Sequence, residues 1–199
     1  MGVLILFVLF IIFLSLLFLD IYKTYFKLNF YIIIGYLSIN IIIFLISFVN
    51  LTNAIYLSIV VGLLYLSIIT DIKEQWISDL TIIMVLIFNV VNMVILYVIY
   101  NKKIIYEGII FIVIVICLIL LIQIALKKEL IGFGDLKLYF VLMVNQDIMF
   151  AIIMLLLSSI LGIVYYLCLK KKTTYFPFGP SIIIAYIIIY ILKTGLEYF

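Results

Sequence analysis

The chain has 199 residues, of which 70% are apolar or aromatic and only 11% are charged. A soluble domain of this length needs a polar surface, whereas helices that face lipid do not, so the composition predicts a polytopic membrane protein. Twelve basic against nine acidic residues give a formal charge of +3, which is too weak a bias to indicate a nucleic-acid partner. We therefore expect an all-α transmembrane bundle surrounded by the lipid bilayer.

The residue types that are missing exclude several chemistries. The chain contains no histidine and no arginine. A Ser-His-Asp triad, a Ser-His pair and a His-Glu-x-x-His zinc site all require imidazole, so these hydrolase classes are excluded. The two cysteines, Cys117 and Cys168, lie inside apolar runs and lack the Cys-x-x-Cys spacing of zinc and redox sites. We expect neither a metal nor another cofactor.

Eight apolar runs follow one another along the chain. A helix needs roughly 20 residues to cross a bilayer, and the sixth run falls furthest short of that length. We predict about eight membrane segments, the sixth of them short, that form a single transmembrane domain over residues 1–199. In chain order the runs cover residues 3–19, 30–49, 54–69, 80–100, 104–126, 136–144, 148–169 and 181–192.

The lysines indicate which loops face the cytoplasm, because cytoplasmic loops collect positive charge. If all eight runs cross, nine lysines lie on one side, and only Lys102, Lys103 and Lys193 lie on the other. If the sixth run does not cross, the split becomes about even. The distribution therefore favours eight crossings. The cytoplasmic loops are then residues 20–29, 70–79, 127–137 and 170–180.

Two short stretches place carboxylates beside long apolar runs. They are residues 71–79, Asp-Ile-Lys-Glu-Gln-Trp-Ile-Ser-Asp, and residues 132–137, Gly-Phe-Gly-Asp-Leu-Lys. An ionisable group near hydrocarbon is costly and is a candidate functional group. With eight crossings, Asp71 and Asp135 both lie on the cytoplasmic side. Two adjacent carboxylates hold one proton between them, so one can act as base on a water and the other as acid on a scissile carbonyl, which is aspartic peptidase chemistry.

The residues alone leave open which aspartate of the first stretch pairs with Asp135. Asp79 is a poor partner for Asp71, because eight helical positions correspond to about 12 Å of rise. We interpret Asp79 as the N-cap of the next helix and Trp76 as an interfacial anchor. Chemistry does not decide between Asp71 and Asp79 as the partner of Asp135.

The glycines before Asp135 have two interpretations. Gly132 and Gly134 permit a positive φ and the close approach of a peptide backbone, and Asp135 would begin a helix, where free amides stabilise negative charge. The same pattern is typical of an ordinary loop that ends in a helix cap. We interpret Lys73 and Lys137 mainly as topology charges, although either could attract an acidic substrate residue.

Together the two stretches resemble the signature regions of the prepilin peptidase family, the type IV leader peptidases with a Gly-x-Gly-Asp active site. The first region of that family, an aspartate followed by a turn and Ile-Pro-Asp-x-Leu-Thr, corresponds to Asp71 and residues 77–81, with Ser78 in place of proline. The second, Gly-x-Gly-Asp-x-Lys, is matched in full by residues 132–137. Residues 176–180, Phe-Pro-Phe-Gly-Pro, resemble the segment before the last span, and the resemblance covers roughly residues 54–190.

The resemblance implies an intramembrane aspartyl endopeptidase of the cytoplasmic membrane. It makes Asp71 and Asp135 the catalytic pair and gives Gly132 and Gly134 the shaping of the active-site loop. The implied partner is a type IV prepilin or pseudopilin, which is cut after its short basic leader at the cytoplasmic face and docks through its hydrophobic N-terminal helix. Candidates for supporting roles are Lys73, Asp79, Lys137, Pro177 and Gly179.

One departure changes the activity that the resemblance implies. Larger members of the family carry a cytoplasmic domain with two Cys-x-x-Cys pairs between the first two spans, and they also methylate the new N-terminus. In this chain the corresponding loop covers only residues 20–29, so we expect a peptidase without methyltransferase activity. The first two spans, within residues 1–53, also lack the usual Gly-Ser-Phe-Leu-Asn segment, and their assignment rests on hydrophobicity.

Three other interpretations remain at the level of sequence. Presenilin and signal peptide peptidases share the Gly-x-Gly-Asp aspartate, but they pair it with Tyr-Asp and Pro-Ala-Leu motifs, whereas this chain has Thr70-Asp71 and Phe-Gly-Pro. A cation or proton transporter also places aspartates at membrane depth, although no inverted repeat is evident. The third is a non-catalytic homologue that escorts pilins.

Overall fold

The computed structural model describes residues 38, 51–74, 76–168 and 177–196. Within these ranges there are six α-helices and no strand, which confirms the all-α class. The helices correspond to the third to eighth predicted runs, and the first two runs lie outside the described residues, so eight segments stay a prediction. The helices are α1 Leu51–Glu74, α2 Asp79–Tyr100, α3 Glu107–Leu126, α4 Phe133–Leu142, α5 Ile148–Cys168 and α6 Gly179–Leu196.

Three of these helices, α2, α3 and α5, are long and apolar enough to cross a membrane. Shorter apolar stretches lie in α1 and α6, at Tyr56–Ile72 and Gly179–Lys193. Large aliphatic side chains such as Ile124 and Leu167 are exposed on the long helices. Such a surface is unfavourable in water and suits lipid. The protein is therefore a membrane protein, as its composition predicts.

The chain divides by compactness into residues Met1–Gly62 and Leu63–Phe199. The contacts discussed below all lie within the second unit. Most of the first unit lies outside the described residues, so a single domain over the whole chain stays a prediction.

The short helix α4 packs against α2, α3 and α6. Its ten residues rise only about 15 Å, and its last two residues, Val141 and Leu142, are buried. The buried side chain of Asn89 in α2 donates to the carbonyl of Val141 at 2.8 Å. The amide of Val144 also donates to this carbonyl at 3.4 Å. Because a backbone carbonyl without a partner is costly in hydrocarbon, these bonds stabilise the buried end of α4.

The segment that contains α4 connects the two ends of α3. Near the end of α3, Gln123 donates to the carbonyl of Ile131 at 2.9 Å. At its start, the amide of Gly108 donates to the carbonyl of Gln146 at 3.0 Å. The distance along α3 from Gln123 to Gly108 is roughly 22 Å, and α4 with its flanking turns covers it. This connectivity suits a sixth segment that crosses, although the crossing itself stays a prediction.

Asp147 links the starts of the helices at one end of the bundle, where α3 and α5 begin, to α6. Its carboxylate accepts the amide of Phe150 at 2.7 Å and an ion pair from Lys193 of α6 at 2.6 Å. The Lys193 ammonium also lies 5.5 Å from the centre of the Phe150 ring. Burial alone would raise the pKa of Asp147, but the hydrogen bonds from Lys193 and from the Phe150 amide lower it below its ordinary value.

Candidate active site

Asp71 lies in the last turn of α1 and is only 6% exposed. Its Oδ2 accepts a hydrogen bond of 3.0 Å from the amide of Gly179, the first residue of α6. First-turn amides have no acceptor within their own helix, so this amide is free to bind a carboxylate. A Cβ at position 179 would lie 2.7 Å from Asp71 Oδ2. Only glycine therefore allows the backbone to come this close to the carboxylate.

Asp135 lies in the first turn of α4. The cap of this helix is Gly132, whose extended backbone presents its carbonyl to the amides of Asp135 and Leu136 at 3.1 and 3.3 Å. The prediction that Asp135 lies at a helix start is confirmed, but the interpretation of Asp135 as an ordinary cap is wrong, because that position belongs to Gly132. Asp135 Oδ1 is buried and has no hydrogen-bond partner among the described residues.

Ile77 packs against a glycine next to each of the two aspartates, Gly134 beside Asp135 and Gly179 beside Asp71. A Cβ at Gly134 would lie 3.3 Å from Ile77 Cβ, and a Cβ at Gly179 would lie 3.1 Å from Ile77 Cδ1. Gly134 directly precedes Asp135, and Gly179 binds Asp71, so both aspartates lie at one end of the unit around this buried side chain. The structure therefore places the two aspartates that the resemblance pairs beside the same residue, Ile77.

The signature glycines act through space and not through unusual backbone angles. No described glycine has a positive φ, so the conformational freedom expected for Gly132 and Gly134 is not used. A Cβ at Gly134 would make a tight contact of 3.3 Å with Ile77 Cβ, so glycine here lets Ile77 pack directly against the first turn of α4. The position of a Cβ at Gly132 would meet only Asp135 Oδ2, at an ordinary contact distance of 3.5 Å. Gly132 thus leaves open space beside the Asp135 carboxylate.

Asp79 and Lys137 form an ion pair between the two motifs. Lys137 Nζ lies 2.7 Å from Asp79 Oδ1, with the two side chains 47% and 69% exposed. The interpretation of Asp79 as the cap of α2 is wrong, because Ser78 occupies that position and Asp79 is the first helical residue. The Asp79 carboxylate instead ties the start of α2 to α4.

The remaining predicted residues are placed as follows. Pro177 is buried and lies two residues before the start of α6, and Trp76 is exposed in the segment between α1 and α2. The side chain of Lys73 lies outside the described part of the structure, as does Phe176. Their roles stay predictions.

No individual role was predicted for four residues that pack behind Gly179 and along α4, namely Gly162, Phe178, Tyr139 and Ser158. Phe178, directly before Gly179, packs against Gly162 of α5, where a Cβ would overlap its ring. The same ring lies 6.5 Å from that of Tyr139, whose hydroxyl hydrogen-bonds Ser158. A glycine within an apolar helical run signals a close approach, and that signal could have identified Gly162.

Helices of membrane-spanning length and two neighbouring carboxylates at one end of the bundle define a class, the polytopic membrane proteins with an acidic site. The chain matches the model of the type IV leader peptidase family over residues 57–167, which is more than half of its length. It therefore belongs to the type IV leader peptidase family and is a peptidase. No curated protein and no solved structure matches the chain.

Proposed function

We propose that the protein is an aspartyl endopeptidase that cleaves the basic leader of type IV prepilins or pseudopilins at the cytoplasmic face of the cell membrane. The observation that carries this proposal is the pair of carboxylates around Ile77, with Asp71 held by the Gly179 amide and Asp135 at the start of α4. Family membership supports a leader peptidase. The lysine-rich loops support a cytoplasmic site.

The two carboxylates have different surroundings, which suits a mechanism in which one acts as the general base and the other as the general acid. The Gly179 amide fixes the orientation of Asp71, whereas Asp135 keeps a buried oxygen to which no described residue donates. One carboxylate takes a proton from a water molecule as that water attacks the scissile carbonyl, and the other gives its proton to the carbonyl oxygen. Collapse of the tetrahedral intermediate breaks the C–N bond: the carboxyl that took the proton of the water gives it to the departing amine, and the other carboxylate takes back the proton of the intermediate's hydroxyl, which restores the pair.

The same proposal assigns the substrate a place in the bilayer. The open space at Gly132 allows an extended peptide backbone to approach Asp135. The hydrophobic helix of the pilin would lie among the apolar helices, so that its leader reaches the site from the membrane surface. The loop predicted at residues 20–29, which lies outside the described residues, is too short in sequence for a methyl-donor domain. Cleavage without N-methylation is therefore the proposed activity.

Reconstitution of the purified protein with a candidate prepilin tests the proposal. Release of the leader is followed by gel shift for the parent and for Asp71→Asn, Asp135→Asn and Asp147→Asn. The first two substitutions should abolish cutting, whereas Asp147→Asn, the same chemical change at the other end of α4, should leave it within a few-fold of the parent. Cutting by either site variant would contradict an aspartyl pair. Ion flux across the vesicle membrane without cleavage would instead favour a transporter. Binding of the prepilin without cleavage would favour a non-catalytic escort.

The pH dependence of cutting gives a second test. A pair of carboxylates that shares one proton loses it in alkaline solution, and the general acid is then absent. The rate should therefore fall as the pH rises. A rate that stays constant up to strongly basic pH would count against the shared proton.

A further inference from the structure

Phe178 fills a space that exists only because residue 162 is glycine. A Cβ at position 162 would overlap Phe178 Cε2 and would lie 2.9 Å from Cδ2. The Phe178 ring also packs against Tyr139 at a centroid distance of 6.5 Å and a tilt of 47°. Tyr139 is itself buried and is hydrogen-bonded to Ser158 of α5. The Phe178 ring is thus in contact with two helices, α5 through Gly162 and α4 through Tyr139.

The backbone of Phe178 begins the helix that binds Asp71. Its carbonyl accepts the amides of Ser181 and Ile182 at 3.0 and 3.3 Å. The next amide along the chain, that of Gly179, donates to Asp71 Oδ2. Because packed interiors transmit displacements instead of absorbing them, a shift of the Phe178 ring moves either Tyr139 or the backbone that carries this amide.

Tyr139 gives the same ring a connection to the second aspartate. It lies four residues after Asp135 and therefore one turn further along the same helix. A displacement of Tyr139 would act on α4, which carries Asp135. Phe178 therefore adjoins the Gly179 amide that binds Asp71 and contacts α4, the helix that carries Asp135.

We propose that Gly162, Phe178 and Tyr139 are positioning residues that set the Gly179 amide and the start of α4, and thereby the mutual geometry of Asp71 and Asp135. The proposal rests on the proposed function of these aspartates. None of the three side chains needs to touch the substrate. Their effect should consequently fall on turnover and leave substrate binding unchanged.

Gly162→Ala is the variant that tests this arrangement. Alanine favours a helix more than glycine does, so the backbone of α5 tolerates the change and the added methyl acts on Phe178. Small misplacements of catalytic groups reduce rates strongly, so we expect kcat to fall on the order of ten-fold or more with KM unchanged. Phe178→Leu in the Gly162→Ala background makes room for the methyl group and should recover most of the lost kcat. Ser159→Ala, on the exposed side of the same helix, is the matched control and should behave as the parent.

A spectroscopic measurement tests the proposal without any substrate. The chain has nine glycines, so protein labelled with ¹⁵N-glycine gives a small set of amide signals. The Gly179 signal is identified by its loss in Gly179→Ala and should shift in Asp71→Asn, which weakens the hydrogen bond. We expect Gly162→Ala to shift the same signal and the double variant with Phe178→Leu to return it towards the parent position.

Two results would overturn the positioning role. One is a Gly162→Ala protein with the Gly179 signal and kcat of the parent. The other is a loss of activity that Phe178→Leu does not relieve while the Gly179 signal stays in place. A parent protein that cuts no prepilin would contradict the proposed function instead, and the Gly179 signal would still decide the positioning role.

Discussion

Gly132 and Gly179 are both signature glycines, but they meet different surroundings. A Cβ at Gly179 would press on Asp71 Oδ2 at 2.7 Å, whereas a Cβ at Gly132 would make only an ordinary contact with Asp135 Oδ2. Glycine at position 179 is therefore required by the packing of the protein itself. Position 132 has room for a methyl group, so a requirement for glycine there has to come from the substrate.

Gly132→Ala should therefore leave the folded protein intact and impair cleavage. We expect a melting temperature close to that of the parent and a loss in kcat/KM of about ten-fold or more, since the methyl group would keep a peptide backbone away from Asp135. Gly179→Ala should lower both the melting temperature and the activity. Thermal unfolding in detergent and prepilin cleavage measure the two effects. Full activity in Gly132→Ala would contradict close approach of the substrate at this residue.

Asp147 provides a pH-dependent contribution to stability at the opposite end of the bundle. Its pKa in the folded protein is below the ordinary value of 3.8, because the hydrogen bonds from Lys193 and the Phe150 amide outweigh burial. A carboxyl with a lowered folded pKa stabilises the fold above the unfolded pKa, and this contribution is lost as the pH falls through the folded value. Asp147→Asn should therefore lower the melting temperature at pH 7, and its difference from the parent should shrink as the pH falls below 3.8.

Lys193→Met is the companion variant in that measurement. It removes the ion pair and leaves the bond from the Phe150 amide. We expect a smaller difference from the parent than Asp147→Asn gives at neutral pH. A difference between Asp147→Asn and the parent that is the same at every pH would contradict the stabilising role of the charge.

At the scale of helices, the Asp79–Lys137 pair joins the start of α2 to α4. Both side chains are substantially exposed, so the pair contributes at most about 1 kcal/mol to folding. Its position between the two motifs suggests an effect on activity instead. We expect Asp79→Lys and Lys137→Asp each to reduce cleavage several-fold, and the double exchange to recover part of the loss. Equal activity in all four proteins would show that the pair does not hold the motifs together.

The helices themselves were largely predictable, since long apolar runs at membrane length leave little choice of structure. Hydrophobicity alone misses the first turn of α4, because the apolar run begins at residue 136 whereas the helix begins at Phe133. Glycine disfavours a helix interior, so Gly134 concealed the first turn. The motifs predicted Asp71 and Asp135 as a pair with Gly179 in a supporting role, and the structure places the Gly179 amide against Asp71. The contacts of Ile77 and Phe178 depend on how helices pack, and a single sequence does not specify that packing.

At the scale of the molecule, the segment that contains α4 is hydrogen-bonded at its two ends to the two ends of α3. The link between Gly108 and Gln146 holds the start of α5 beside the start of α3, while the link between Gln123 and Ile131 holds the start of α4 beside the end of α3. The aspartates lie at the latter end, where α4 and α6 begin. A crossing sixth segment therefore puts the Asp147–Lys193 pair on the membrane face opposite the site.

Cysteine labelling tests this arrangement directly. In a background of Cys117→Ser and Cys168→Ser, single cysteines replace Lys103, Lys128 or Ile148, and a membrane-impermeant maleimide is added to vesicles of either orientation. Because α3 and α5 begin at the same end, we expect positions 103 and 148 to react from one face and position 128 from the other. Retained prepilin cleavage by each variant serves as the control for folding. Reaction of positions 128 and 148 from the same face would mean that the sixth segment does not cross, and the cytoplasmic assignment of the 170–180 loop would then be wrong.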